Sequence, residues 1–190
     1  MDFHKNPWQK LTSRTIYQNP WIRLREDQVI TPSGTKGIYG VIEAHPAIGV
    51  VPLTEDGYTY LVGQYRYTLD VFSWEIPEGG GHPGETTWDG AQRELREETG
   101  LIALQWTYLG TAYTSNSFTN EVAYLYLAEK LEQGNKNPDL TEKLEMRKLP
   151  FEQAWEMVLS GEIKDAMSII GLLRVKQILD ARTSIKSGGK

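Results

Sequence analysis

Between Pro77 and Leu101 the chain prescribes one local architecture: a loop rich in glycine and proline (Pro77 to Gly84), a segment of helix composition (Thr86 to Thr99), then Gly100. Thr86 and Asp89 have the spacing of a capping box, and a glycine at position 100 supplies the left-handed conformation that ends a helix. Gly90 is the one poor helix former inside the segment, at a cost of about 1 kcal/mol relative to Ala. Within this helix, Arg93-Glu94-Leu95-Arg96-Glu97-Glu98 relates positions 94, 97 and 98 by i, i+3 and i+4, so that the carboxylates project from one face. Like charges that close repel, and in an arbitrary helix such a face is simply solvated. Two features favour another use: the helix keeps an apolar stripe (Ala91, Leu95), and its acidic face directly follows the glycine-rich loop. Oxygen ligands grouped in this way suit a hard divalent cation such as Mg²⁺ or Mn²⁺, which keeps waters for a phosphate to replace.

Around this helix, runs rich in β-branched and aromatic residues predict strands at Trp21 to Ile30, Gly37 to Glu43, Ile48 to Leu53 and Tyr58 to Tyr67, with turns at Pro32-Ser33-Gly34 and Glu55-Asp56-Gly57. Further strands are predicted at Trp106 to Thr111 and Val122 to Leu131. A polar stretch follows (Gln133 to Thr141), and then Leu144, Met146 and Lys148 alternate. Two helices close the chain, Phe151 to Ser160 and Asp165 to Ala181, and the Ser/Gly/Lys-rich tail 182–190 is expected to be disordered. The class is α+β, a sheet sandwiched between helices. With 190 residues the chain can bury a core without staples, and with no cysteine it is not a disulfide scaffold. The start of the chain lacks the apolar run of a signal peptide, so a cytoplasmic location is expected. No stretch approaches the roughly 18 to 20 apolar residues of a membrane span. A formal charge of −5 gives no general footprint for nucleic acid, so an anionic phosphate ligand needs local cations.

The spacing Gly79-x5-Glu85-x7-Arg93-Glu94-Leu95-x-Glu97-Glu98-x-Gly100-Leu101 resembles the complete Nudix box, with no departure at a defining position. The resemblance implies the Nudix fold, a mixed β-sheet between α-helices in which the box forms loop-helix-loop. It also implies three regions: an N-terminal antiparallel strand extension over 1–45, a hydrolase domain over 46–181 and the tail 182–190. By the same resemblance Glu94, Glu97 and Glu98 match metal-ligand glutamates, and the backbone carbonyl of Glu78 matches a further ligand. Glu85 and Arg93 match residues that brace loop and helix by ion pairing. His82, alone beside Pro83, reads as a solvated loop residue. The implied chemistry is metal-assisted attack of water on a pyrophosphate phosphorus, with a carboxylate taking the proton.

Beyond the box the chain is similar to ADP-ribose pyrophosphatases and related nucleoside-diphosphate-sugar hydrolases. Asn19-Pro20-Trp21-Ile22, Gln64-Tyr65-Arg66, Trp74-Glu75-Ile76-Pro77-Glu78-Gly79-Gly80, Ile163-Lys164-Asp165-Ala166 and Ser168-Ile169-Ile170 carry that likeness. It implies a small-molecule substrate, cleaved to nucleoside monophosphate and sugar phosphate, and a homodimer in which N-terminal strands are exchanged. Exposed Phe3, Trp8, Tyr17 and Trp21 would suit such an interface, and a core role serves most of them equally well. Arg66 is the first choice for a cation near the phosphates, Glu75 for a ribose or sugar contact, and Trp21 (with Tyr17 and Trp74 as alternatives) for stacking on a base. The general base is expected in the late loop, at Glu142 or alternatively Glu145. Many ADP-ribose enzymes carry a proline about fifteen residues beyond the box, where this chain has Tyr113 to Glu121 with none. That leaves GDP-mannose and ADP-glucose open as substrates and makes Ser115, Asn116 and Ser117 candidate contacts. The alternatives are a Nudix hydrolase of a dinucleoside polyphosphate, coenzyme A or a nucleoside triphosphate, and a non-catalytic ADP-ribose-sensing module.

Overall fold

The computed structural model describes residues 4–134 and 144–187. The chain divides into two compact units, one made of Met1–His45 with Tyr113–Val122 and the other of Pro46–Ala112 with Ala123–Lys190.

In the first unit, β1 (Gln9–Gln18), β2 (Ile22–Ile30) and β3 (Lys36–Ala44) form an antiparallel sheet in that order. Asn19 Oδ1 accepts from the amides of Trp21 (2.9 Å) and Ile22 (2.8 Å), which sets the turn into β2. The expected turn at Pro32-Ser33-Gly34 forms between β2 and β3, with the Gly34 amide bonded to Thr31. Residues 113–122 join this unit through backbone bonds between Ile42 and both Phe118 and Asn120, and through the Tyr39 hydroxyl, which donates to the Ser117 carbonyl at 2.7 Å. β1 departs from the runs read as strands. It is exposed along its whole length and shifts register twice, between Lys10 and Thr12 and between Thr15 and Tyr17. A strand with neither face buried leaves no apolar alternation to read.

Among the described residues, the second unit holds two sheets and three helices. A mixed sheet has the order β7 (Glu78–Gly80), β4 (Ala47–Pro52), β9 (Val122–Gln133), β8 (Leu101–Tyr113), with β4 parallel to β9 and antiparallel to β7. A second sheet has the order β10 (Glu145–Pro150), β5 (Tyr58–Arg66), β6 (Val71–Glu75) and is antiparallel. The helices are α1 (Thr87–Thr99), α2 (Phe151–Leu159) and α3 (Ala166–Ser187). Strand β4 is buried on both sides, and its side chains alternate between two cores. Ile48 and Val50 pack with Ala91 and Leu95 of α1, whereas Val51 packs with Leu172 and Val175 of α3. Each fully buried Leu or Val contributes about 1.5–3 kcal/mol, so the two cores hold the helices on the sheet and make the expected sandwich.

Several boundaries differ from the sequence reading. β8 begins at Leu101, directly after the helix stop, rather than at Trp106. Asp165 precedes α3 and caps it, its Oδ2 accepting from the Ser168 amide at 2.7 Å. At the other end α3 continues to Ser187 instead of stopping at Ala181, so the tail set aside as disordered begins as helix. There Arg182 pairs with Glu129 of β9 through two bonds of 2.6 and 2.9 Å.

Candidate active site

Helix α1 starts where the capping residues direct it. Thr86 is the N-cap, its hydroxyl accepting from the Asp89 amide at 3.1 Å, and Gly100 ends the helix in the left-handed region at φ 75°. Gly90 is explained by packing: a Cβ there would lie 2.3 Å from Cδ1 of Ile48. The missing side chain lets α1 approach β4, and the apolar stripe Ala91–Leu95 is fully buried as a result. Glu94 and Glu98 border that stripe and are themselves buried, whereas Glu97 is more open.

One guanidinium organises this acidic face. Arg93 donates to both oxygens of Glu85 (2.9 and 3.0 Å), to Glu94 (2.6 Å), to Glu97 (3.0 Å) and to the carbonyl of Gly80 (2.9 Å). The Glu85 carboxylate thereby ties the loop to the helix, and it accepts the His82 amide as well at 3.0 Å. Hydrogen bonding to Arg93 pulls the Glu85 carboxyl down to about 2, and the same carboxylates push Arg93 upward. His82 is an exposed loop residue, as expected.

The glycine-rich loop meets the acidic face at Gly79, where a Cβ would lie 2.3 Å from Oε1 of Glu94. Preceding it, the peptide from Ile76 to Glu78 is fixed from three elements. The Ile76 amide donates to Oγ of Ser168 on α3 (2.9 Å), the Pro77 carbonyl accepts from the Val50 amide of β4 (2.9 Å), and the Glu78 amide donates to Oε2 of Glu98 on α1 (2.9 Å). The chemistry of the donors fits a hard divalent cation: carboxylate oxygens on α1 lie against a backbone that only glycine permits so close.

A second group of carboxylates adjoins this peptide. Among the described residues, Glu75, Glu78 and Asp165 bring carboxylate oxygens within 4.8 Å of one another, and the expected ligands Glu94, Glu97 and Glu98 form no such group, two of them bonding Arg93 instead. Arg66 answers the second group through Nε and Nη2, with bonds of 2.5–3.0 Å to Glu75 and 2.9 Å to Glu78. Burial, with the neighbouring charges of Asp165 and Glu75, pushes the Glu78 carboxyl well above the usual carboxylate range against the pull of Arg66.

A model of the NUDIX domain matches residues 43–167 of the chain. The chain belongs to the NUDIX family. A second model, the nucleoside diphosphate sugar hydrolase N-terminal domain, matches residues 8–42. Among relatives, this NUDIX chain is 32% identical over 180 residues to the ADP-ribose pyrophosphatase of Mycobacterium tuberculosis, covering 92% of this chain and 86% of that one. It is 30% identical over 176 residues to the ADP-ribose pyrophosphatase of Bacillus subtilis, covering 90% and 95%. The crystal structure of an ADP compounds hydrolase has the same fold, with a TM-score of 0.81 at 20% identity over 92% of this chain and 95% of that one. The protein is a NUDIX pyrophosphohydrolase.

The NUDIX residues singled out by sequence fall into three sets. Glu78, Glu85, Arg93, Glu94, Glu97 and Glu98 converge around the loop and α1, and Arg66 with Glu75 adjoins them through Glu78. Glu75 is buried, and in this conformation its immediate partner is Arg66. Trp21 and Ser117 are exposed residues of the first unit. Glu142 lies outside the described residues, and Glu145 is an exposed residue of β10 opposite Gly63. Sequence reasoning assigned no role to Asp165 and Ser168, although the Asp-x-x-Ser spacing is itself a capping signal. It also missed Arg147, whose guanidinium lies 4.1 Å from the centre of the Trp74 ring. No helix among the described residues is long and apolar enough to cross a membrane.

Proposed function

We propose that this NUDIX hydrolase cleaves the pyrophosphate of a nucleoside diphosphate sugar of the ADP-ribose type, giving nucleoside monophosphate and sugar phosphate. The observation that carries this reading is the pairing of the two family models, the nucleoside diphosphate sugar hydrolase N-terminal domain over 8–42 and the NUDIX domain over 43–167. The names of the relatives support it, since two that align with nine-tenths of the chain are ADP-ribose pyrophosphatases.

Glu94, Glu97, Glu98 and the carbonyl of Glu78 would hold Mg²⁺ or Mn²⁺. When bound, such a cation neutralises diphosphate charge and lowers the pKa of water. Arg93 and Glu85 keep the loop seated on the helix, and Glu98 also orients the Glu78 peptide through its amide. The remaining donors of Arg66 bind a substrate phosphate, and Glu75 holds Arg66 in position while bordering the sugar. Trp21 and Ser117 contribute to the nucleoside end. Glu142, with Glu145 as its alternative, takes the proton of the attacking water.

The working form in this reading is a cytoplasmic homodimer that does not bind nucleic acid. Trp8, Tyr17 and Trp21 are exposed in the single chain and β1 is uncovered along its length, which supports a covering partner on this sheet. Light scattering on the purified protein tests the dimer, with a monomer at micromolar concentration as the contrary outcome. The activity is tested with ADP-ribose, ADP-glucose, GDP-mannose, a dinucleoside polyphosphate and a nucleoside triphosphate, each with Mg²⁺ or Mn²⁺ and with products separated by chromatography. Release of nucleoside monophosphate and sugar phosphate is expected, and turnover confined to the last two compounds would overturn the assignment.

A further inference from the structure

We infer that Ser168, on the C-terminal helix, is a positioning residue for the metal-binding peptide, an assignment that rests on the function proposed above. Ser168 is fully buried, and its Oγ accepts from the Ile76 amide at 2.9 Å across 92 residues of sequence. Its own amide is held by the cap of α3, donating to Oδ2 of Asp165 at 2.7 Å, so the hydroxyl is fixed at the helix start.

Ile76 has particular need of this acceptor. β6 ends at Glu75 and β7 starts at Glu78, so the peptide between them belongs to neither strand; β4 reaches it only through the Val50 amide, which donates to the Pro77 carbonyl and leaves the Ile76 amide to find another acceptor, and Pro77 has no N–H. The two amides left in the stretch are those of Ile76 and Glu78. One is held by Ser168 and the other by Glu98. Ile76 is itself fully buried, which keeps water from substituting as the acceptor.

The consequence is geometric. The Glu98 carboxylate fixes one end of the Ile76–Glu78 peptide and is also an expected metal ligand, so it can serve both roles only if the peptide's other end is held independently. Ser168 supplies that hold at the Ile76 amide from an element outside the box, with the Val50 amide of β4 holding the Pro77 carbonyl between the two ends. Without its hydroxyl the buried Ile76 amide would be left unpaired, and the peptide would turn to find another acceptor. The Glu78 carbonyl, proposed above as a metal ligand, would then turn with the peptide. Groups that orient a metal ligand in this way typically affect metal affinity by about 10- to 100-fold.

The test is Mn²⁺ binding followed by electron paramagnetic resonance and by calorimetry on the full chain, without substrate. Four proteins are compared: wild type, Ser168→Ala, Glu98→Gln and Val175→Ala. The last removes buried volume from the same helix without touching the Ile76 amide. Weakening of about 10- to 100-fold is expected in Ser168→Ala, with a matching rise in the Mg²⁺ concentration for half-maximal hydrolysis. Val175→Ala should bind as wild type does although its melting temperature falls. Unchanged binding in Ser168→Ala, or an equal change in Val175→Ala, overturns the role of Ser168 alone. Failure of the wild type to bind Mn²⁺, or equal binding by Glu98→Gln, overturns the metal site and this inference together. Should Ser168→Ala not fold, Ser168→Cys, similar in size and a weak acceptor, provides the same contrast.

Discussion

Gly79 and Glu94 occupy what would be one space: the Cβ that Gly79 lacks would sit 2.3 Å from Oε1 and 2.5 Å from the carboxyl carbon of Glu94. Since real side chains do not approach so closely, either the loop or the helix would have to move. Gly79→Ala is expected to cost about 1–3 kcal/mol, the range for overpacking a tight site. Hydrolysis is expected to fall by at least about tenfold, the lower end for disturbing a group that orients a metal ligand. Chemical denaturation and initial rates check the two effects separately, and an alanine variant with wild-type rates would show that the Glu94 carboxylate can move without consequence.

Gly90 leads to an expectation opposite to the one from helix propensity. Alanine should favour the exposed form of such a helix by about 1 kcal/mol, yet here its Cβ would meet Cδ1 of Ile48 at 2.3 Å. Gly90→Ala is therefore expected to lower the melting temperature. Ile48→Val removes that methyl, and the double variant should recover much of the loss, a coupling that a double-mutant cycle measures directly. Strict additivity of the two changes would contradict the packing explanation.

Arg93 makes its bonds to three carboxylates and a carbonyl with one planar fork. Lysine keeps the charge but not the fork, so stability is expected to fall from wild type to Arg93→Lys and again to Arg93→Leu. The full loss should be on the order of 3 kcal/mol, because the leucine leaves mostly buried carboxylates without their counterion. Urea denaturation at neutral pH ranks the variants, and equal midpoints for the wild type and the leucine variant would contradict it.

Glu85 gives a pH dependence with a definite sign. Its carboxyl is lowered to about 2 in the folded chain, mainly by the hydrogen bond to Arg93, from an ordinary value of 4.5. A depressed folded value means that the contribution to stability is complete above the unfolded value and is lost as pH falls from 4.5 towards 2. Glu85→Gln should thus be less stable than the wild type at pH 6 to 7, by an amount on the order of 1.5–3 kcal/mol for a charge-assisted hydrogen bond. The difference should shrink steadily below pH 4.5. A difference that stays constant down to pH 3 would show that the ion pair is not its source.

How far the sequence carried these conclusions depended on the range of the interactions involved. Helix α1 was legible to within a residue because its signals are local: Thr86 and Asp89 at one end, Gly100 at the other, Ala91 and Leu95 between them. The likeness to the Nudix box likewise spans one continuous stretch. β1 was not legible as a run, because a strand exposed along its whole length shows no alternation. The bond from Ser168 to Ile76 could not be read, since 92 residues separate its partners and each looks like ordinary core. The sequence singles out Arg66 as a cation for the substrate phosphates, but its carboxylate partners lie elsewhere, Glu75 on β6 and Glu78 on β7, and the first emerges only from the pairing of β5 with β6. Gly90 was read as a cost because propensity is a property of the helix alone, whereas its benefit lies in β4.

The chain passes between its two units three times, after His45, after Ala112 and after Val122. The N-terminal portion is therefore not an appendage that a single cut releases. Removing residues up to His45 would strip the 113–122 segment of its bonds to Tyr39, Ile42 and Ala44, and would expose carbonyl and amide groups that are now paired. A graft that brings the 8–42 region from a relative must bring the segment between β8 and β9 with it, although that segment falls within the stretch matched by the NUDIX model. In any exchange of parts, these two separated pieces of sequence therefore act as one structural module.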